Sequence, residues 1–312
     1  MPEMKLIPFE VKSVQAETSE IPYGVNLINA PKMWERGEKG EGTVVAILDT
    51  GIDVNHPDLK DRIIDGRNFT SEGRKDDFSD RNGHGTHVAG TIAATENGSG
   101  VVGVAPETKL LICKVLNAQG SGDYKGITDA IKWATKWEGP NGERVRVMNM
   151  SLGGPMHDVH QYRAILEACS KGILVVVASG NEGDADEETM EYGYPALYNE
   201  CVTVAACDEK KELAYFSNNS RQVDVIAAGV DVLSTYPTSQ YAVLSGTSMA
   251  TPHVAGALAL IINLGENYFG RTFTESEIYA LLVQCCCGLG YKPTSEGHGI
   301  IDLSEMNKKC KE

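Results

Sequence analysis

The sequence predicts an α/β fold in a single domain, with a mostly parallel central sheet and helices on both faces. Short runs that are β-branched or fully apolar, as buried parallel strands are, lie at residues 44–48, 110–115, 145–150, 173–178 and 202–206. Amphipathic stretches at 126–137 and 157–171 lie between some of them, and this alternation is typical of a sheet between two helix layers. With 312 residues, 42% of them hydrophobic, the chain can bury one large core.

Composition narrows the classes of partner. The net charge of −15 argues against nucleic acid or an anionic membrane as partner. The start of the chain, MPEMK, leads into only a short apolar patch, so we expect no signal peptide. The longest apolar stretch, residues 254–264, is too short to span a bilayer. Three consecutive cysteines, Cys285, Cys286 and Cys287, are difficult to pair in disulfides. We therefore expect a cytoplasmic protein with reduced thiols.

Three segments carry the groups that a nucleophilic serine needs. They are Asp49 in residues 44–51 (VVAILDTG), His84 in residues 82–90 (NGHGTHVAG) and Ser248 in residues 244–256 (LSGTSMATPHVAG). A serine hydroxyl needs an adjacent imidazole to take its proton, and His84 is the candidate. Asp49 ends a predicted buried strand, where a carboxylate can hold that imidazole in one tautomer. Ser248 begins a predicted apolar helix over residues 248–264, whose first free amides lie where negative charge develops.

Other chemistries fit these segments less well. Aspartic proteases need two Asp-Thr-Gly or Asp-Ser-Gly carboxylates, and the chain has only the one at Asp49. A metal pair of His84 and His87 lacks a third ligand. An esterase of the α/β-hydrolase kind should have Gly-x-Ser-x-Gly with the serine first in chain order, whereas here the serine comes last and Ala250 replaces the second glycine. A catalytically dead binding module remains the other alternative, although every expected group is present.

These segments, in the order Asp, His, Ser, resemble the subtilisin-type serine proteases from about residue 21 to residue 301. Three weaker features resemble the intracellular branch of that family: the motif Leu6, Ile7, Pro8 and Phe9, the insertion at 137–143 (WEGPNGE) and the acidic loop at 182–188 (EGDADEE). The resemblance implies a calcium-dependent serine endopeptidase that cleaves protein and peptide substrates through an acyl-enzyme. It also implies a peptidase domain over residues 19–312 and the possibility of a homodimer.

The resemblance assigns further roles at the cleft. Asn181 in ASGNEG would donate to the oxyanion together with the Ser248 amide, although Gly-Asn after a strand is also typical of a tight turn. Two main-chain edges would pair with an extended substrate: Gly120, Ser121 and Gly122, and Ser151, Leu152, Gly153 and Gly154. Tyr124, Ile127 and Leu152 would form the pocket for the residue four before the cut. Glu182 and Gly193 would lie at the primary pocket, which should accept apolar or aromatic residues and some basic ones.

A calcium site is also implied by the resemblance. Its members would be Asp58, Thr95, Asn97, Ser99 and Val101. A carboxylate, an amide oxygen and backbone carbonyls suit a hard cation. The alternative is a solvated loop around the turn-forming pair Asn97 and Gly98.

The N-terminal residues 1–18 precede a stretch that resembles the start of the mature enzyme, residues 19–25 (SEIPYGV). So short a segment cannot fold alone. Our hypothesis is that it is inhibitory, with Leu6, Ile7, Pro8 and Phe9 lying across the cleft and Pro8 keeping the bonds out of register for attack. Removal of the segment would then activate the enzyme. The alternative is a disordered tail with an incidental apolar patch.

Overall fold

The structure is a computed structural model, and it describes residues 3–304 and Met306. The first two residues of the predicted segment 1–18 lie outside the described residues. So do residue 305 and residues 307–312 of the predicted segment 19–312, which include Cys310. The helices are α1 (Tyr23–Leu27), α2 (Pro31–Trp34), α3 (His84–Ala93), α4 (Tyr124–Lys136), α5 (Val159–Ser170), α6 (Thr247–Phe269), α7 (Glu275–Gln284) and α8 (Pro293–Glu296).

Nine strands form the central sheet, in the order β16-β17-β13-β12-β11-β9-β4-β7-β5. Their bounds are β4 (Val44–Asp49), β5 (Ile63–Asn68), β7 (Lys109–Lys114), β9 (Val145–Met150), β11 (Leu174–Ala178), β12 (Cys201–Cys207), β13 (Val223–Ala228), β16 (Cys286–Cys287) and β17 (Ile300–Ile301). All neighbours pair in parallel except β16 with β17. The predicted α/β class and mostly parallel sheet are therefore confirmed.

Strand β4 explains why the sheet has helices on both faces. All six of its residues are buried. Alternate side chains point to opposite faces, and accordingly Val45 and Ile47 belong to one core cluster while Val44, Ala46 and Leu48 belong to another. The first cluster contains residues of α3 and α6, and the second contains residues of α4 and α5. A strand buried on both sides reads as a continuous apolar run, which is the pattern seen in the sequence.

Helix α6 runs from Thr247 to Phe269, one residue before and five residues beyond the predicted helix 248–264. By length and composition it would suffice to cross a membrane, which corrects the expectation drawn from the apolar stretch 254–264, but its most apolar window is entirely buried inside the fold. Pro252 lies inside it and has no amide hydrogen to give to the Ser248 carbonyl one turn earlier. The Ser151 hydroxyl donates to that carbonyl instead, at 3.1 Å.

The remaining strands form three small sheets: β10-β1-β8, β14-β15-β2 and β3-β6. Their bounds are β1 (Glu3–Leu6), β2 (Glu10–Gln15), β3 (Ser19–Glu20), β6 (Gly100–Val101), β8 (Ser121–Asp123), β10 (Leu152–Gly153), β14 (Val232–Tyr236) and β15 (Gln240–Ser245). Each small sheet contains one strand from residues 3–20. The N-terminal segment thus lies on the domain over its described length and is not a detached tail.

The C-terminal residues that follow α6 are also part of the domain. Ile278, Leu282 and Leu303 are fully buried in the larger core cluster, and Met306 is 3% exposed. Cys286 and Cys287 form the edge strand β16 of the central sheet. None of the cysteines in residues 3–304 forms a disulfide.

Candidate active site

The carboxyl ends of three neighbouring strands bring the predicted site residues to one edge of the sheet. Asp49 is the last residue of β4, Ser151 follows β9, and Asn181 comes shortly after β11. These three strands are parallel neighbours in the order β11-β9-β4. Ligands of open α/β sheets bind outside the carboxyl ends of the strands. The edge therefore collects groups that are far apart in sequence.

Asp49 and His84 form a buried pair. The His84 Nδ1 atom lies 2.8 Å from Asp49 Oδ1 and 2.9 Å from Asp49 Oδ2. The Asp49 carboxylate also accepts a hydrogen bond from the Thr50 amide at 2.7 Å. Asp49 is 1% exposed and His84 is fully buried. Because an ionised carboxylate only accepts, the proton of the neutral imidazole is on Nδ1 and the lone pair is on Nε2.

Asp80 holds the loop that presents His84, and the sequence analysis missed it. Its Oδ1 accepts from the Asn82 and Gly83 amides, both at 2.9 Å, and its Oδ2 accepts from the Thr86 amide at 2.9 Å and the Thr86 hydroxyl at 2.6 Å. Thr50 donates its hydroxyl to Asp80 at 2.9 Å, which ties this loop to the end of β4. A carboxylate four residues before the histidine, at the start of a helix, is the signal that could have found it.

Ser248 is the second residue of α6 and is fully buried. Its hydroxyl donates to the Ser151 carbonyl at 3.3 Å. His84 Nε2 is buried and has no hydrogen-bond partner among the described residues. The ring of Phe9 lies against the His84 ring, with centroids 4.9 Å apart. The serine and the histidine are thus both at the edge of the sheet but are not hydrogen-bonded to each other while Phe9 covers the imidazole.

Asn181 is oriented by Thr247, the residue before the serine. The Asn181 Oδ1 atom accepts from the Thr247 amide at 2.9 Å and from the Thr247 hydroxyl at 2.8 Å. This fixes the side-chain amide and leaves Nδ2 as the outward donor. Asn181 Nδ2 donates to the carbonyl of Pro8.

The two predicted substrate edges enclose the N-terminal strand. Strand β1 pairs antiparallel with β8 and with β10, with Lys5 opposite Ser121 on one side and opposite Gly153 on the other. The Leu6 amide donates to the Gly120 carbonyl at 2.8 Å. Met4, fully buried, shares a core cluster with the three residues of the predicted fourth pocket, Tyr124, Ile127 and Leu152.

The predicted primary pocket contains Ile7. A cleft of about 640 Å³ is lined by residues that include Ile7, Gly154, Gly180, Glu182 and Gly193. Ile7 is 5% exposed. Glu182 Oε2 accepts from the Asn218 side-chain amide at 2.8 Å, so this carboxylate is held at the cleft. Glu182 and Gly193, which the sequence analysis assigned to this pocket, both line the cleft. The sequence analysis did not find Asn218.

Asp58 lies in the predicted calcium region. It is fully buried, and its carboxylate accepts from Asn97 Nδ2 at 2.8 Å, the Val101 amide at 3.2 Å and the Tyr241 hydroxyl at 3.0 Å. Burial and the Asp58 carboxylate raise the pKa of Tyr241. Gly100 has φ +68, and a Cβ there would lie 2.0 Å from Asp58 Oδ2, so only glycine allows this approach.

The oxygen donors of this region fit a hard cation. Asn97 Oδ1 accepts from the Ser99 amide at 3.0 Å, and the Thr95 hydroxyl oxygen is buried without a described partner. No group of three His, Cys, Asp or Glu side chains within residues 3–304 could hold a metal. The predicted set has one carboxylate and relies on amide and main-chain oxygens, which calcium accepts. A cation would require the Asn97 amide to turn its oxygen towards Asp58.

His87 lies one turn after His84 and is fully buried. Its Nε2 lies 3.0 Å from the Val232 carbonyl and 3.1 Å from the Ala242 carbonyl, one on each strand of the β14–β15 hairpin. Because both partners are acceptors, Nε2 carries the proton. Burial lowers the pKa of His87 from 6.5 to about 3. His87 Nε2 therefore holds the two strands of the hairpin together.

Comparison with known proteins places this site in a family. The sequence profile of the subtilase family matches residues 40–299. An intracellular serine protease of Paenibacillus polymyxa is 50% identical over 308 residues, covering 98% of this chain and 92% of the relative. The major intracellular serine protease of Bacillus subtilis (strain 168) is 46% identical over 305 residues, with coverage of 97% and 94%. Subtilisin DY of Bacillus licheniformis is 47% identical over 243 residues, with coverage of 78% and 85%.

The α/β fold together with these matches defines a serine endopeptidase. The chain belongs to the subtilase family. The predicted family, fold class and enzyme class are confirmed.

Proposed function

We propose that Ser248, His84, Asp49 and Asn181 carry out peptide-bond hydrolysis in this chain. Ser248 Oγ attacks the carbonyl carbon of the substrate while His84 Nε2 takes the hydroxyl proton, and His84 then gives that proton to the leaving amine. Water then attacks the acyl carbon while His84 Nε2 takes its proton; the ester bond to Ser248 Oγ breaks as His84 gives that proton to the serine oxygen, and the acid is released. The observation that carries the proposal is the Asp49–His84 pair at 2.8 and 2.9 Å, with His84 Nε2 buried and unpartnered.

Asn181 Nδ2 and the Ser248 amide stabilise the oxyanion of the tetrahedral intermediate. Support comes from the Pro8 carbonyl, which already accepts from Asn181 Nδ2. Ser248 lies in the first turn of a 23-residue helix, whose N-terminal amides favour negative charge. The substrate lies between the Ser121 and Gly153 edges, as β1 does.

The same N-terminal segment inhibits the enzyme until it is removed. Met4 lies with the residues of the pocket for the fourth residue before the cut, and the Leu6 amide pairs with Gly120. Counting along the strand from Met4 places Ile7 at the primary pocket, so its carbonyl should accept from Asn181. The carbonyl that does so belongs to Pro8, one residue later. The Ile7–Pro8 bond is therefore displaced from the position of attack, and Phe9 covers His84.

The first test follows the intact mass and the activity of the full chain with calcium present, beside Ser248→Ala and the exposed-serine control Ser276→Ala. We expect a lag in activity that ends as residues 1–18 are lost, in the native chain and in Ser276→Ala. Ser248→Ala should keep its full mass and cleave nothing. Cleavage of denatured protein by Ser248→Ala would contradict the serine assignment. Immediate full activity of an intact chain would contradict the inhibitory segment.

Calcium binds at Asp58, Asn97 and the main chain between Thr95 and Val101. The donor types support this, as does the burial of a carboxylate whose described partners are all neutral. A bound ion would neutralise Asp58 and stabilise the loop by mass action. The side-chain amide of Asn97 turns its oxygen towards the ion. Gly100, which has no side chain, leaves room beside the Asp58 carboxylate.

Removing calcium with a chelator should lower the melting temperature of the Ser248→Ala chain. If the calcium concentration was about a hundred times the dissociation constant, the loss of stability corresponds to about 3 kcal/mol. Asp58→Asn should melt at the same temperature with and without chelator. Asp61→Asn, an exposed carboxylate, should behave as the native chain does. Equal calcium shifts in all three chains would place the ion elsewhere.

We also propose that the enzyme works in the cytoplasm and forms a homodimer. Two relatives named intracellular match nearly the whole chain, and no cysteine in residues 3–304 is in a disulfide. Light scattering of the Ser248→Ala chain would test the dimer, and a monomeric mass at micromolar concentration would exclude it.

A further inference from the structure

We infer that β15 (Gln240–Ser245) is a binding edge for the part of the substrate that follows the cut, and that Asp231 selects a basic side chain at the fourth residue after it. The inference rests on the proposed removal of residues 1–18. It adds a long binding surface on the leaving-group side of the site.

The order of the small sheet supplies the edge. In β14-β15-β2, strand β15 lies between β14 and the N-terminal strand β2. Loss of residues 1–18 removes β2 and leaves unpaired the main-chain groups of β15 that faced it, while the pairing with β14 remains. An unpaired edge accepts an extended peptide through hydrogen bonds that do not depend on sequence. His87 fixes this hairpin by bonding to Val232 and Ala242, so the edge does not depend on β2 for its position.

The register follows from the carbonyl at Asn181. Because of the one-residue displacement, the Pro8 carbonyl and not the Ile7 carbonyl accepts from Asn181, as the attacked carbonyl of a substrate would. On the leaving-group side, Phe9 therefore corresponds to the first residue of a substrate after the cut and Glu10 to the second. Glu10 lies opposite Ser245 and Gln15 lies opposite Tyr241. A substrate that follows this path would therefore pair with β15 from its second to its seventh residue after the cut.

Side chains matter little along most of this path. The first five residues of β2 are exposed, so pairing is mainly through the main chain. Lys12 is the exception, because its ammonium forms an ion pair with Asp231. Lys12 lies at the register shift between Val243 and Leu244, and counting from Phe9 makes it the fourth residue after the cut.

Asp231 is built into the base of the hairpin. It directly precedes β14, and its amide donates to the Ser245 hydroxyl at 2.8 Å. Its side chain is 44% exposed, so a substrate can reach it once Lys12 has left. The chemistry of the partner is thus an extended, unfolded protein segment with Lys or Arg four residues after the cut.

The experiment uses the full chain, incubated with calcium until its intact mass is constant. Internally quenched peptides share one sequence before the cut and end two or seven residues after it, and the longer ones have Lys or Glu at the fourth position. We expect kcat/KM to rise about tenfold with length. The Lys peptide should exceed the Glu peptide by about fivefold, as an exposed ion pair allows. Asp231→Asn should equalise the two peptides, and Asp61→Asn should not.

An equal kcat/KM for short and long peptides would overturn the binding edge, and a Lys preference that survives in Asp231→Asn would overturn the assignment of Asp231. Failure of the inhibitory segment is seen separately, as immediate cleavage of the short peptide by a chain whose mass retains residues 1–18. In that case the length series is measured on the full chain with Val14→Pro, which weakens the pairing of β2 with β15. A length dependence that appears only with this substitution would support the edge, and none would overturn it.

Discussion

The two halves of the N-terminal segment bind the domain in different ways. Strand β1 lies between two strands and buries Met4 completely, and Ile7 next to it is 5% exposed. Strand β2 pairs with one strand only, and Val11 and Val14 in it are each 46% exposed. Strand β1 combines main-chain pairing with buried side chains, and β2 combines main-chain pairing with a single charged contact. In the proposed substrate path these are the sides before and after the cut, so sequence selectivity should be concentrated on the first side.

The strongest test of the difference between the two halves is Met4→Ala. Removal of a buried side chain of this size costs about 2–5 kcal/mol, so docking of the segment should weaken by thirtyfold or more. The lag before activity should shorten accordingly. Val11→Ala in the exposed half is the matched control and should leave the lag nearly unchanged. Equal effects of the two substitutions on the progress curves would mean that the halves bind alike.

The second prediction concerns the support beneath β15. His87 has a folded pKa of about 3 and an ordinary value of 6.5, so it is neutral in the fold and takes up a proton on unfolding. Its stabilising effect is complete above pH 6.5 and is lost as the pH falls towards 3. Between pH 6.5 and pH 3, protonation of His87 in the unfolded chain should lower the free energy of unfolding by about 1.4 kcal/mol for each unit by which the pH falls.

Urea unfolding of the Ser248→Ala chain at several pH values measures that slope. Adding His87→Asn should make the chain less stable at pH 7 and should make the slope between pH 6 and pH 4 shallower. The exposed residue His160 is the control, and His160→Asn should keep the native slope. Parallel curves for all three chains would show that His87 does not hold the hairpin as a neutral donor.

The third prediction addresses the junction between the halves. Pro8→Ala restores an amide hydrogen and backbone freedom at the displaced bond. The chain should then cut itself between residues 7 and 8, and the lag should shorten by about tenfold, a free-energy change of roughly 1.4 kcal/mol. Mass spectrometry of the released peptide identifies the bond. Ser13→Ala is the control, and a first cut at the same bond in both chains would contradict the register argument.

The smallest expected effect concerns the exposed half of the segment, strand β2. Lys12→Glu replaces an exposed ion pair by a repulsion and should weaken docking by about 0.2–1 kcal/mol. The lag should shorten by at most about fivefold. The double variant Lys12→Glu with Asp231→Lys should recover the native lag. If the double variant behaves like the single one, the pair with Asp231 does not contribute.

The sequence predicted the parts of the fold whose pattern is local. The run ending at Asp49 became β4 because a strand buried on both faces is apolar throughout, and the motif around Ser248 marked the start of α6 within one residue. The predicted family and fold class are confirmed, while the roles of the individual site residues remain predictions.

The missed features depend on contacts between distant residues. Strand β2 has exposed side chains, so its pairing with β15 leaves no apolar alternation to read. Asp80 resembles any solvated acid until Thr50 and Thr86 are seen to bond to it. The end of α6 was placed too early because Glu266 follows the apolar stretch. Asn218 became visible only through its bond to Glu182.

The continuity of residues 3–20 over the cleft has a consequence for how long the proposed inhibition lasts. A segment joined to its own domain has an effective concentration in the millimolar range, so dilution of the protein does not release it. The proposed cut that releases residues 1–18 changes that concentration to the concentration in bulk solution. The freed peptide then leaves by simple dilution, and the event is irreversible without any change in the fold of the domain.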